Sequence, residues 1–176
     1  MTAQPRAALV DRLAIWELGL ACRLGRELAS QWLLLLLVSV SRIGDWALSV
    51  GMGLVLLVAR GPRAMLLWTA ASLGAVVLQK LLKRHAGRLR PCQHPGGPPQ
   101  RAPIPDHGSF PSGHTLHAVM AATVAARAIP MLAAPLAVLA LLIATSRVAL
   151  GVHYPSDVVA GGAIGAVVGI VLCSLL

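Results

Sequence analysis

The sequence predicts an all-α, polytopic transmembrane helix bundle of about five spans, preceded by a short or interfacial helix. Three observations carry this. Of the 176 residues, 57% are hydrophobic and 12% charged, whereas roughly a quarter of an ordinary soluble protein is charged. The apolar residues fall in runs close to the ~20 that a helix needs to cross hydrocarbon. Tryptophan supplies four of the six aromatic residues, at positions 16, 32, 46 and 68, and tryptophan favours the membrane interface. The first thirty residues carry Arg6, Asp11, Arg12, Glu17, Arg23, Arg26 and Glu27. They lack the clean apolar core of a cleavable signal, so the N-terminus is expected to be retained and residues 1–176 to form one domain.

Taken in chain order, the first apolar run, 31–40, is about half a span and is followed by Arg42 and Asp45. It is either part of one long helix through 59 with an Arg42/Asp45 pair inside it, or a short interfacial helix ending in a corner at 41–46, with a separate span over 44–59. The second is preferred. The next run, 64–82, is nineteen residues in which Gln79 and Lys80 are the strongly polar members. A segment at 113–129 is less oily because it holds His114, His117 and Arg127. Residues 131–150 are broken late by Thr145, Ser146 and Arg147, and 158–176 has no charge at all. In that last helix Gly161, Gly165 and Gly169 recur every fourth residue, beside Gly162, a spacing that lets a neighbouring helix come close. From Lys83 to Pro111 inclusive the chain holds seven prolines with His85, His94 and His107. Such a segment is too polar for lipid and too irregular for a helix throughout, and reads as an ordered surface loop.

The net charge is +9, and between Asp45 and Asp106 there is no acid, while Arg60, Arg63, Lys80, Lys83, Arg84, Arg88, Arg90 and Arg101 accumulate. In so apolar a chain this bias points to lipid headgroups or a phosphorylated substrate before nucleic acid. Cys22, Cys92 and Cys173 are far apart and imply neither a disulfide framework nor a zinc spacing. A metal cluster of His85, Cys92, His94 and His107 is a lesser alternative, since their spacing fits no compact ligand pattern.

If the spans hold, four polar groups meet on one membrane face: Lys83 with Arg90, Ser112-Gly113-His114, Ser146-Arg147, and His153 with Asp157. Each has a plain reading. The lysine and arginine would snorkel, Pro111-Ser112 would start a helix, the histidines would be structural, and Arg147 would pair with Asp157. A phosphate site accounts for them together. Lys83, Arg90 and Arg147 supply charge and forked donors, and the N–H groups near Ser112 and Gly113 add a helix N-terminus. Asp157 accepting from one ring nitrogen of His153 would leave the other free to attack phosphorus, with His114 as proton donor to the leaving oxygen. His117, three residues beyond His114, is assigned a structural role.

The three stretches KRHAGRLRP (83–91), PSGH (111–114) and SRVALGVHYPSD (146–157) together resemble the signature of the type 2 phosphatidic acid phosphatase family, which also includes bacterial lipid phosphatases and vanadium-dependent haloperoxidases. All three parts are complete and in order, and they fall in the C-terminal two thirds. The resemblance implies an all-helical membrane bundle in which Lys83, Arg90, Ser112, Gly113 and Arg147 bind phosphate. His153 is then the nucleophile that forms a phosphohistidine, His114 the general acid and Asp157 the residue that orients the nucleophile. It implies no metal and no other cofactor. Undecaprenyl pyrophosphate is the expected substrate, with phosphatidylglycerophosphate or a broader range of lipid phosphates as the alternative. The rival from another class is a non-catalytic scaffold or transporter. Partners are then the lipid substrate and the bilayer, without nucleic acid. Arg60, Arg63 and Arg127 fall on the face opposite the site, which by the positive-inside tendency puts the site outside a bacterial inner membrane.

Overall fold

The computed structural model describes residues 5–28, 30–44, 46–104, 106 and 108–176, with side chains from 13 onward. Asp45, Pro105 and His107 lie outside the described residues, and with them the Arg42/Asp45 pair of the one-helix alternative and the share of His107 in a metal cluster.

Among the described residues seven α-helices follow in order: α1 (Pro5–Glu27), α2 (Gln31–Ile43), α3 (Trp46–Arg60), α4 (Pro62–Ala86), α5 (Gly113–Ala128), α6 (Ala133–Ala149) and α7 (Pro155–Cys173). The residues 31–59 therefore form two helices, separated at Gly44, where Ile143 packs too closely for a larger residue to enter without displacement. The long helix α1 is an addition to the expected plan. Its acids and bases are spread through the sequence, so no apolar run marks it, and it bends by 120° into α2.

The expected count of about five spans needs correction. Among the described residues three helical segments are long and apolar enough to cross a membrane, 62–93, 130–149 and 155–173, or four if the bent α1–α2 pair is one span. The other two expected spans, α3 and α5, have 15 and 16 residues. At ~1.5 Å per residue they reach about 23 Å, short of the ~30 Å hydrocarbon thickness.

Local sequence explains the helix ends. Pro62 occupies the first turn of α4, where its missing N–H costs nothing, after Gly61 at φ +88°. Gly87 closes α4 in the left-handed conformation at φ +54°, its N–H donating to the Lys83 carbonyl. Pro155 opens α7, and the Asp157 carboxylate accepts the Tyr154 N–H at 2.8 Å across that turn.

The bundle is organised around α5, which is buried along most of its length. Its closest partner is α7. A Cβ at Gly161 would collide with the Ser112 carbonyl and one at Gly165 with the Leu116 carbonyl, while one at Gly169 would come within 2.8 Å of Thr123. The glycine stripe is thus the seam that lets the two backbones touch. Met120, Ala121, Val124 and Ala125 of α5 pack with Met52 and Leu56 of α3, Trp68 of α4 and Leu172 of α7. Trp68 corrects the interfacial expectation for tryptophan: it is buried, with its indole N–H donating 2.8 Å to the Ser49 carbonyl, while Trp16, Trp32 and Trp46 are exposed. Exposed Leu66, Leu73, Val77, Leu141, Val167 and Ile170 coat the outside, as lipid-facing surfaces require.

The proline-rich loop is pinned to the α6–α7 connection. The Cys92 N–H donates to the Gly151 carbonyl at 3.0 Å and the Arg101 N–H to the Leu150 carbonyl at 3.2 Å. The loop also reaches α1, through Arg101 to the Gly25 carbonyl. Both ties lie at the end of the bundle that carries the polar residues.

Candidate active site

Each of the eight expected site residues stands at a helix end or beside one. Lys83 is in the last turn of α4, Arg90 follows the Gly87 cap, and Ser112 precedes α5, which begins Gly113-His114. Arg147 is in the last turn of α6, His153 in the connection after it, and Asp157 in the first turn of α7. Lys83, Arg90, Ser112, Gly113, Arg147, His153 and Asp157 are buried, and His114 is half-buried. The fold brings them together.

His153 is 1% exposed. Its Nε2 lies 3.3 Å from Arg90 Nη1, and its Nδ1 is 3.6 Å from Asp157 Oδ2, a few tenths of an ångström beyond hydrogen-bond length. A guanidinium only donates. Nε2 therefore carries the lone pair, and the proton belongs on Nδ1, toward the carboxylate. Burial is the main cause that pushes the His153 pKa down, to about 4; Asp157 opposes the shift, and Arg147 and Arg90 add to it. At neutral pH the ring is uncharged and one of its nitrogens is nucleophilic.

The cations are held by partners that the three stretches do not include. Asp106 bridges two of them: Lys83 Nζ is 2.9 Å from its Oδ1 and 2.8 Å from its Oδ2, and Arg90 Nη2 is 2.7 Å from Oδ1. Arg90 also donates to the Val152 carbonyl at 2.8 Å. Arg147 donates to Ser41 Oγ of α2 at 2.5 Å. The cationic partner of Asp157 is Arg88, at 2.8 Å, in place of the Arg147 pairing considered from sequence.

At the start of α5 the Ser112 N–H is committed to the Asp157 carbonyl at 3.0 Å, so the hydroxyl, whose Oγ is 3.0 Å from Thr115 Oγ1, is the group Ser112 could offer an anion. The N–H groups of the following turn, from Gly113 on, point out of the helix end. The amide end of the Gln79 side chain packs against Gly113, and a Cβ there would require Gln79 to move. His114 borders two cavities. One, of about 310 Å³, is shared with Lys83, Asp106, Gln79, Gly113 and His117 and runs down to Leu73 and Val76; the other, of about 170 Å³, is shared with Arg147, Ser41 and Arg42. Arg147, His153 and Lys83 are its electrostatic neighbours.

Of the other described histidines, His117 lines the larger of these cavities, while His85 and His94 line neither. His117 is buried with its Nδ1 3.0 Å from the Gly113 carbonyl and its Nε2 3.4 Å from the Ser72 carbonyl, so it ties α5 to α4. His85 is exposed and contacts the Leu81 carbonyl, and His94 meets the Tyr154 ring edge-on at 6.3 Å. Among the described residues no three of the histidines, cysteines and carboxylates are grouped as metal ligands. The residues that sequence reasoning missed are Asp106, Arg88, Ser41 and Glu17. Asp106 is the one carboxylate of its loop and Arg88 lies inside the first signature stretch, so both had a signal. Ser41 and Glu17 had none, since they reach the site from α2 and α1.

The chain is 41% identical over 118 residues to decaprenylphosphoryl-5-phosphoribose phosphatase of Mycobacterium tuberculosis strain H37Rv, covering 65% of this chain and 64% of that protein. It is 43% identical over 96 residues to lipid A 1-phosphatase of Rhizobium johnstonii, covering 51% and 38%. The match thus spans less than two thirds of either relative's length. Among solved structures, the fold resembles a PAP2 type phosphatidylglycerolphosphate phosphatase from Bacillus subtilis, with a TM-score of 0.71 and 23% identity over 89% of this chain and 84% of that one. It also resembles Aquifex aeolicus LpxE, with a TM-score of 0.72 and 27% identity over 82% and 87%. A family profile matches residues 64–176, the stretch that holds all eight expected positions, and the chain belongs to the PAP2 superfamily.

Proposed function

We propose that the chain hydrolyses a membrane lipid phosphate through a phosphohistidine on His153. The observation that carries this is the buried His153, with Nδ1 turned to Asp157 and Nε2 turned to Arg90. In the first step the Nε2 lone pair forms a bond to phosphorus as the bond from phosphorus to the lipid oxygen breaks, and His114 gives that oxygen a proton. The imidazolium that results keeps its Nδ1 proton beside the Asp157 carboxylate. In the second step water attacks phosphorus, His114 takes a proton from it, and the P–N bond breaks to release phosphate and regenerate His153. Lys83, Arg90, Arg147 and the first-turn N–H groups of α5 hold the phosphoryl oxygens throughout. Neither step calls for a metal.

Asp106 sets a condition on binding. It occupies the donors of Lys83 and Arg90, so a phosphoryl group that uses those donors exchanges with its carboxylate. The substrate reading favours a lipid phosphate, phosphatidylglycerophosphate or a broader set, over undecaprenyl pyrophosphate. The relatives above are named for decaprenylphosphoryl-5-phosphoribose, lipid A and phosphatidylglycerolphosphate, and none for the pyrophosphate. In this reading α3 and α5 also cross the bilayer, as short spans over which it thins, α5 inside the bundle and α3 at its edge, and residues 1–176 work as one domain. The site faces outward. Arg60, which donates 3.0 Å to the Ala128 carbonyl, marks with Arg63 and Arg127 the opposite, basic end, and supports a cytoplasmic assignment for that end.

The test is phosphate release in detergent from a panel of lipid phosphates and undecaprenyl pyrophosphate, with and without a chelator. Parent turnover that survives the chelator and falls by at least ~10⁴-fold in His153→Ala, and strongly in His114→Ala, is expected. Full activity in His153→Ala sinks the mechanism, and no release from any lipid by folded protein sinks the function.

A further inference from the structure

Glu17 belongs to none of the signature stretches and lies outside residues 64–176, yet it is buried, and both its oxygens are engaged at the site. Its Oε2 is 2.5 Å from Arg88 Nη2, and its Oε1 accepts the Ser156 N–H at 2.7 Å. Arg88 spends its other amino group on the opposite side, with Nη1 2.8 Å from Asp157 Oδ1 and 2.7 Å from Ser156 Oγ. Its guanidinium carbon lies 4.0 Å from the centre of the Tyr154 ring. Arg88 thus stands between two buried carboxylates with one nitrogen on each. Asp157 divides its oxygens accordingly: Oδ1 receives Arg88, while Oδ2 receives the Tyr154 N–H and faces His153 Nδ1.

Charge explains why such a chain matters. When His153 accepts a phosphoryl group its ring becomes an imidazolium, and Asp157 must offset that charge. A lone guanidinium 2.8 Å away would cancel much of the negative charge at Asp157. A second carboxylate on the far side of the guanidinium restores it. Glu17 also holds the partly exposed Arg88 in one rotamer, and with it the orientation of Asp157. We propose that Glu17 and Arg88 are positioning residues for the His153–Asp157 pair, with α1 delivering Glu17 as the outermost member of a Glu17–Arg88–Asp157–His153 chain. The inference rests on the phosphohistidine reading above. A plain staple of α1 onto α7 would use the same contacts, and the two differ in what turnover does.

The experiment measures kcat, KM and thermal midpoint in mixed micelles of phosphatidic acid for the parent, Glu17→Gln, Arg88→Gln and the double variant, with His153→Ala as control. Glu17→Gln is expected to lower kcat about tenfold with KM within twofold of the parent, because the phosphate donors stay in place. Tenfold is about the low end of the loss seen when the direct hydrogen-bond partner of a metal-bound histidine is removed, and Glu17 acts on His153 through two further residues. In the Arg88→Gln background the same change is expected to cost less than twofold. Unchanged kcat, an effect on KM alone, or an equal loss in both backgrounds overturns the inference. Should Glu17→Gln melt below the assay temperature, Arg88→Gln carries the test, with kcat reduced at unchanged KM in support and unchanged kcat against. If the parent releases phosphate through His153 and the Glu17 variants match it, this inference falls alone. If His153→Ala is as active as the parent, the underlying reaction falls with it.

Discussion

The C-terminal part of the chain, 64–176, and the N-terminal part before it build the same site by different means. The C-terminal part contributes every residue placed in the proposed chemistry, and it does so through features with short-range sequence logic: helix ends, a glycine stripe, a left-handed cap. The N-terminal part contributes supports, Glu17 and Ser41, which touch Arg88 and Arg147 across the bundle. A catalytic group is specified by its own type and neighbours. A support is specified only by where the fold carries it, so the same protein is easy to read in one region and opaque in the other.

Breaking the seam between α5 and α7 separates the two contributions most severely. Gly165→Leu would force a side chain against the Leu116 carbonyl, where no flexible group is available to move. Destabilisation beyond ~3 kcal/mol is expected, at the upper end of overpacking effects. It would be read as loss of a cooperative melt in detergent, while Gly162→Ala, at a site with ordinary contact distances, melts like the parent.

The next effect is the pH dependence of stability. The folded pKa of His153, about 4, lies below the unfolded value of ~6.5. Between those values the unfolded chain binds more protons than the folded one. The folded state is thus favoured above pH 6.5 and loses that advantage as pH falls toward 4, by roughly 3 kcal/mol in all. Thermal midpoints of the parent should fall more steeply over this window than those of His153→Gln. Parallel curves would mean that His153 is not held neutral by burial.

A smaller effect tests the N-terminal support directly. Ser41→Ala removes one hydrogen-bond partner of Arg147, and hydrogen bonds to charged groups contribute about 1.5 kcal/mol or more. KM is expected to rise roughly tenfold, with Ser39→Ala as control, since Ser39 bonds only within α2. Equal behaviour of the two variants would remove Ser41 from the site. The smallest expected change has the opposite sign. Asp106→Asn relieves competition for Lys83 and Arg90 and should lower KM or the inhibition constant of inorganic phosphate by about twofold to fivefold. A raised KM would assign Asp106 to holding the cations in place.

Sequence alone determined the class of this protein and the residues proposed for its chemistry. Apolar runs of span length are a property of composition, and lysine, arginine, serine-glycine-histidine and histidine-aspartate at fixed spacings keep their chemistry in any fold that gathers helix ends on one side. It also marked the glycine stripe, because a small residue every fourth position has one physical use on a helix. Tertiary structure alone decided which cation pairs with Asp157, since Arg147 and Arg88 were equally available by charge and only packing set Arg88 there. It likewise decided that Asp106 holds Lys83 and Arg90, that Trp68 is a core residue, and that α1, a helix with no span-like run, lays Glu17 against the start of α7, 139 residues away. Pairings across such separations depend on how helices are stacked, and no local pattern of residues encodes the stacking.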